Sequence, residues 1–189
     1  MTTSTIQSYN KEIDINSSYA AVWTNMGNLL NDKKDIVGAE DAYKNAVVID
    51  PEYTDAWNNW GVILLDHNKD IGGAEHAFEN ALEIDPTHVA AWHNLGNLLE
   101  IHNKDIDGAE VAYNNALEID PKEAKTWISL GTLLIQHRND IVGAEDAFKK
   151  ALELDPKDAK VWNNLGVLLK DHKKDYAGAE QAYEKALEI

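Results

Sequence analysis

Apolar side chains recur along this chain at spacings of three and four residues, not two. Around Trp57 the apolar or small positions are Trp57, Trp60, Gly61 and Leu64, and around Trp92 they are Trp92, Leu95, Gly96 and Leu99. That is the period of an amphipathic helix rather than of a strand. A polar run follows each stripe (Asp66-His67-Asn68-Lys69-Asp70, or His102-Asn103-Lys104-Asp105), and then a second helical stripe: Ala74, Phe78, Ala81, Leu82. Asp35, Asp70, Asp105, Asp140 and Asp175 stand at the predicted N-cap of each second helix, where a carboxylate accepts from the free N–H groups of the first turn. The second helix stops at Asp-Pro, at Pro51, Pro86, Pro121 and Pro156. Proline restricts the residue before it and cannot continue a helix interior.

The pattern is one unit copied five times. Its tryptophan stands at Trp23, Trp57, Trp92, Trp127 and Trp162, a step of 35 residues except for the first, which is 34. A fixed period in this range marks stacked repeats, whose core runs from unit to unit. The units read as residues 19–53, 54–88, 89–123, 124–158 and 159–189, in one continuous solenoid. Residues 1–18 read as a degenerate half-repeat, a cap helix ending before the first unit. There Glu12 replaces the small alanine and Ser17 replaces the proline. The glycine four places after each tryptophan costs roughly 1 kcal/mol relative to alanine in a helix interior. Its recurrence predicts close helix–helix approach.

Composition narrows the partners. The chain has 17 Lys and Arg against 33 Asp and Glu, a net charge of −16. This argues against nucleic acid and anionic membrane surfaces, which call for a basic footprint. There are no cysteines, so disulfides and thiolate metal sites are excluded. With no basic, apolar leader and no apolar run of membrane-spanning length, the reading is an intracellular, cytoplasmic protein. No nucleophile–base set, phosphate loop or zinc-type His pair stands out, so neither an enzyme nor a cofactor is expected. His67, His102, His137 and His172 recur once per unit and read as turn residues, since a metal needs clustered ligands. The tryptophans, Trp60 included, read as core residues by their spacing.

The order Trp92, Leu95, Gly96, Leu99, Ala109, Tyr113, Ala116, Pro121 resembles the tetratricopeptide repeat, and the likeness recurs in every unit. Two departures are the extra residue in four units, placed in the inter-helix turn, and leucine (Leu30, Leu64, Leu99, Leu134, Leu169) in place of the family's first-helix tyrosine. The resemblance implies an all-α, right-handed superhelix of helix-turn-helix units that acts as a protein–protein interaction scaffold. First helices would line a concave, peptide-binding groove, with positions one, two and five after each tryptophan facing the peptide. Those positions bring forward Asn25, Asn28, Asn58, Asn59, His93, Asn94, Asn97, Ile128, Thr132, Asn163 and Asn164, with Lys125 and Lys160 beside them.

Asn25, Asn59, Asn94 and Asn164 form a series broken only by Ser129. An amide both donates and accepts, so it can pair with a peptide main chain whatever the side chains. Ile128, Thr132 and Ile135 add an apolar spot. The family's carboxylate clamp for chaperone C-termini is rejected: over His93, Asn97, Ser129, Lys160 and Asn164 only Asn97 and Lys160 fit, and the arginine is missing. The alternative function is a structural array that self-associates through an open C-terminal end near Ala182, Tyr183, Ala186 and Leu187. Such arrays usually close with a solvating helix, and the fifth unit stops at Ile189.

Overall fold

The structure, a computed structural model, describes the backbone of residues 3–189 and the side chains of residues 15–67 and 69–189. Among the described residues it is all-α. The elements are α1 (Thr3–Asp32), α2 (Ile36–Ile49), α3 (Thr54–Ile63), α4 (Ile71–Ile84), α5 (Val89–Leu98), α6 (Ile106–Ile119), α7 (Ala124–Leu133), α8 (Ile141–Leu154), α9 (Ala159–Leu168) and α10 (Tyr176–Glu188). The chain divides into two compact units, Met1–Leu98 and Leu99–Ile189. Each is a stretch of solenoid in which consecutive helices pack in antiparallel pairs: α1 with α2 and α3 with α4 in the first, α7 with α8 and α9 with α10 in the second.

The recurring glycine does bring the helices of a pair together. A methyl group at Gly61 would lie 2.6 Å from Phe78 Cε1, and one at Gly166 would lie 2.6 Å from Tyr183 Cε1. In these pairs the aromatic ring of the second helix therefore packs against a bare stretch of the first. Alanines such as Ala74, Ala77 and Ala81 are fully buried around it, so backbones approach closely while the ring supplies the volume.

Each second helix begins at the expected aspartate. Asp70 Oδ1 accepts from the Gly73 N–H at 3.0 Å, and Asp35, Asp105, Asp140 and Asp175 do the same for Gly38, Gly108, Gly143 and Gly178. The extra residue of the longer units is not a looser connection. It widens the end of the first helix into a single π-turn, at Leu64–Asn68, Leu99–Asn103, Leu134–Arg138 and Leu169–Lys173. The Asp70 N–H then reaches back six residues to Leu64 O at 2.9 Å, whereas Asp35, in the shorter unit, reaches five residues to Leu30 O at 2.9 Å. One inserted residue is thus absorbed at constant hydrogen-bond closure, as π-bulges do elsewhere.

Each connection also passes through the left-handed region at a non-glycine residue: Lys34, Lys69, Lys104, Asn139 and Lys174, with φ between 53° and 66°. Lys69 Nζ and Lys174 Nζ donate to carbonyls three residues back at 2.6 and 2.8 Å, which places a cation at a helix C-terminus. A side chain in this conformation is strained relative to glycine. Lys104→Gly should therefore raise stability by roughly 0.5–1 kcal/mol, read as a higher denaturation midpoint at unchanged helix content. A lower midpoint would mean that the lysine contributes more than its backbone strain costs.

The N-terminal expectation needs correction. The cap helix over residues 1–18 does not end before the first unit: α1 runs unbroken from Thr3 to Asp32. With Ser17 in place of proline nothing removes a donor or blocks a turn there, and the Ser17 hydroxyl instead donates to Asp50 Oδ2 at the end of α2. The Glu12 side chain lies outside the described residues.

Candidate functional site

In the first unit the first-helix face is built from α1, α3 and α5. Position two after the tryptophan points outward and position one turns into the seam toward the next helix. The amides there are joined side chain to side chain. Asn59 Nδ2 donates to Asn28 Oδ1 at 3.1 Å, Asn58 Nδ2 to Asn59 Oδ1 at 3.1 Å, and Asn94 Nδ2 to Asn58 Oδ1 at 2.9 Å. Tyr43, from α2 beneath, donates its hydroxyl to Asn28 Oδ1 at 2.7 Å. Asn97 Nδ2 and His93 Nε2 lie 2.9 Å apart, one helical turn from each other.

This arrangement revises two sequence-based roles. Asn58 is buried and cannot present itself as a contact; it orients Asn59 and Asn94 instead. Thr24, at the same position in α1, is likewise buried and donates to Ala20 O at 2.8 Å. Asn25 is exposed and stands outside the joined series of Asn28, Asn59, Asn58 and Asn94. An amide has two N–H donors and two acceptor lone pairs. Asn59 and Asn94 thus keep hydrogen-bonding capacity beyond the bonds that orient them.

In the second unit the same helix positions shape a pocket of about 150 Å³ lined by Thr132, Ile135, Gln136, Phe148, Asn164 and Val167. Thr132 Oγ1 donates to Ile128 O at 2.9 Å. Ile128 is half-buried and packs on the core beneath. Asn163, Lys125 and Lys160 are exposed. By the 100° helical step the two lysines, two places before Trp127 and Trp162, share the face of positions two and five.

Sequence reasoning missed a polar cluster nearby. The buried Tyr113 donates its hydroxyl to Glu100 Oε2 at 2.9 Å, and His137 Nε2 lies 3.5 Å from Glu100 Oε1. Burial, then the Glu100 charge, pushes the Tyr113 phenol far above its ordinary range, so it stays a donor. The signal was present: Glu100 occupies the place of Leu65 and Ile135, and the units with Leu65 and Ile135 carry phenylalanine (Phe78, Phe148) where this one has Tyr113. A hydroxyl and an acceptor arrive together.

The tryptophans are not inside the core, as their spacing suggested, but at its margin. Each of Trp57, Trp92, Trp127 and Trp162 is half-buried and donates its indole N–H to the proline carbonyl six residues back, at 2.8–2.9 Å. A large ring with one polar tip packs well where the tip finds a partner. Trp60 differs: its ring lies tilted over Trp57 with centroids 5.6 Å apart, and its buried Nε1 has no partner among the described residues. His67, His102, His137 and His172 are exposed turn residues. No described helix is long and apolar enough to cross a membrane.

Comparison with known proteins fits this geometry. The family model described as tetratricopeptide repeat matches residues 77–110 and 147–181. Among solved structures, a MamA protein superposes with a TM-score of 0.73 at 20% identity, over 90% of this chain and 91% of that one. PilF of Pseudomonas aeruginosa gives 0.83 at 20% identity, over 92% and 77%. YrrB, described as a TPR protein with an unusual peptide-binding site, gives 0.68 at 22%, over 95% and 91%. No curated protein sequence matches the chain.

Proposed function

We propose that this chain, an interaction scaffold built of tetratricopeptide repeats, holds the main chain of an extended peptide on the first-helix face of its first unit. The joined amides of Asn28, Asn59, Asn58 and Asn94 carry the reading. Their mutual bonds fix the side chains before any ligand arrives, so little rotamer entropy is lost on binding. The remaining N–H and lone pair of Asn59 and of Asn94 suit a peptide N–H and C=O, which every residue type offers. In the second unit, the pocket between Thr132, Ile135 and Val167, with Asn164 on its wall, suits one apolar side chain with an amide beside its backbone. Asn25, His93, Asn97, Lys125, Lys160 and Asn163 flank these contacts. YrrB, a fold neighbour described as having a peptide-binding site, supports the general reading.

The test starts from peptides selected by display on the whole chain and measured by fluorescence anisotropy. Asn59→Ala with Asn94→Ala removes four hydrogen bonds of about 0.5 kcal/mol or more each, so affinity should fall at least about thirtyfold. N-methylation of the peptide backbone at one contacted residue should weaken wild-type binding comparably. Equal affinity for the double variant and the wild type would rule out recognition through the amides.

A further inference from the structure

We infer that copies of this chain join head to tail, the outer face of α1 in one copy seating on the outer face of α10 in the next. The evidence is an interface already built within the second unit. There α9 covers α8: Val161, Leu165 and Leu168 of α9 are 1%, 6% and 0% exposed, and Ala151 and Leu152 of α8 are 1% and 7% exposed. These residues form one cluster with Trp162 packed against it.

The repeat supplies the same two surfaces at two other places without a cover. Val22, Trp23, Met26 and Leu29 of α1 stand at the positions of Val161, Trp162, Leu165 and Leu168. Three are the same residue, and the fourth exchanges leucine for methionine. In α1 they are 62%, 38%, 44% and 47% exposed. The segment expected to fold over this face is instead the N-terminal half of α1 itself. On α10, Tyr183, Ala186 and Leu187 stand at the positions of Phe148, Ala151 and Leu152. Leu187 is 87% exposed where Leu152 is 7%. The donor face and the acceptor face are thus copies of two surfaces that already fit each other.

Such a contact is heterologous: it uses different surfaces on the two partners and leaves one of each open, so it can continue into longer assemblies. Each copy carries a net charge of −16, and like-charged copies repel across the solvent. Association should therefore strengthen as added sodium chloride screens that repulsion.

Light scattering of the whole chain over a wide concentration range, at low and raised salt, is the first measurement. The expected result is a mass that climbs with concentration and climbs further with salt; a constant mass of one chain under both conditions overturns the proposal. Two variants then test the pairing of faces. Met26→Glu blocks the α1 face and Leu187→Glu the α10 face, both at exposed positions, so circular dichroism should be unchanged. Each alone should hold the mass of one chain. Mixed in equal amounts, one variant's α10 face meets the other's α1 face once, and the mass should double and stop there. A mixture that stays at one chain's mass, or a Met26→Glu variant that still associates by itself, overturns the head-to-tail assignment.

Discussion

Phe148→Ala should lower the stability of its helix pair by about 3–5 kcal/mol, the range for losing a buried aromatic ring. The ring is 2% exposed. It lies on the bare backbone of Gly131 and shares its cluster with Ala144, Ala151 and Leu165. Alanines and a glycine have no side chain to swing into the space, so the cavity would stay open, and cavities that cannot collapse are the costly ones. A solenoid's stability is a sum of unit and neighbour terms, so the loss should be local. Hydrogen exchange should show faster opening in α7, α8 and α9 while amides in α3 and α4 keep their protection. A uniform loss of protection, or a loss below about 1 kcal/mol, would mean that the ring is not the main support of its pair.

Gly131→Ala is the second large effect, and its sign is the informative part. On helix propensity alone alanine should stabilise by roughly 1 kcal/mol. Here the new methyl would lie 2.8 Å from Phe148 Cε1 and 3.3 Å from the backbone oxygen of Ala144. Neither is a flexible chain end, and overpacking of this kind costs about 1–3 kcal/mol. Gly72 is the control: it is also helical, with nothing within 4 Å of an added methyl, so Gly72→Ala should stabilise by roughly 0.5–1 kcal/mol. If both substitutions stabilise, close approach is not what holds glycine in the first helices. Because the Gly131 methyl and the Phe148 ring compete for one space, Gly131→Ala and Phe148→Ala together should cost less than the sum of the two.

Much of the fold was readable because the repeat states each instruction several times. The glycine after Trp57 means little alone, but with Phe78, and again with Tyr183 opposite Gly166, it marks a ring-on-backbone contact. The aspartate caps were equally plain. Two things were not. Ser17 was read as an eroded proline at a helix end; without the proline the backbone had no reason to stop, and α1 runs through. The extra residue of the longer units was placed in a loop, yet an α-helix can widen its last turn at less disturbance than rebuilding a connection. For the candidate site, the choice of face was legible from helical phase, but the division of labour within it was not. Asn58 and Asn59 are adjacent and identical in chemistry, and which one is buried depends on where the next helix lies. The Tyr113–Glu100 pair was within reach, because a hydroxyl among phenylalanines calls for an acceptor.

The indole bonds have an optical consequence. Trp57, Trp92, Trp127 and Trp162 each hold one N–H on a proline carbonyl at the entrance of their own helix pair. The emission of an indole depends on whether that N–H faces a carbonyl or bulk water. Every junction therefore carries its own fluorophore, wired to the bond that breaks when the junction opens. A series of chains retaining one tryptophan at a time, the rest replaced by phenylalanine, would let denaturation be followed junction by junction, with no label added.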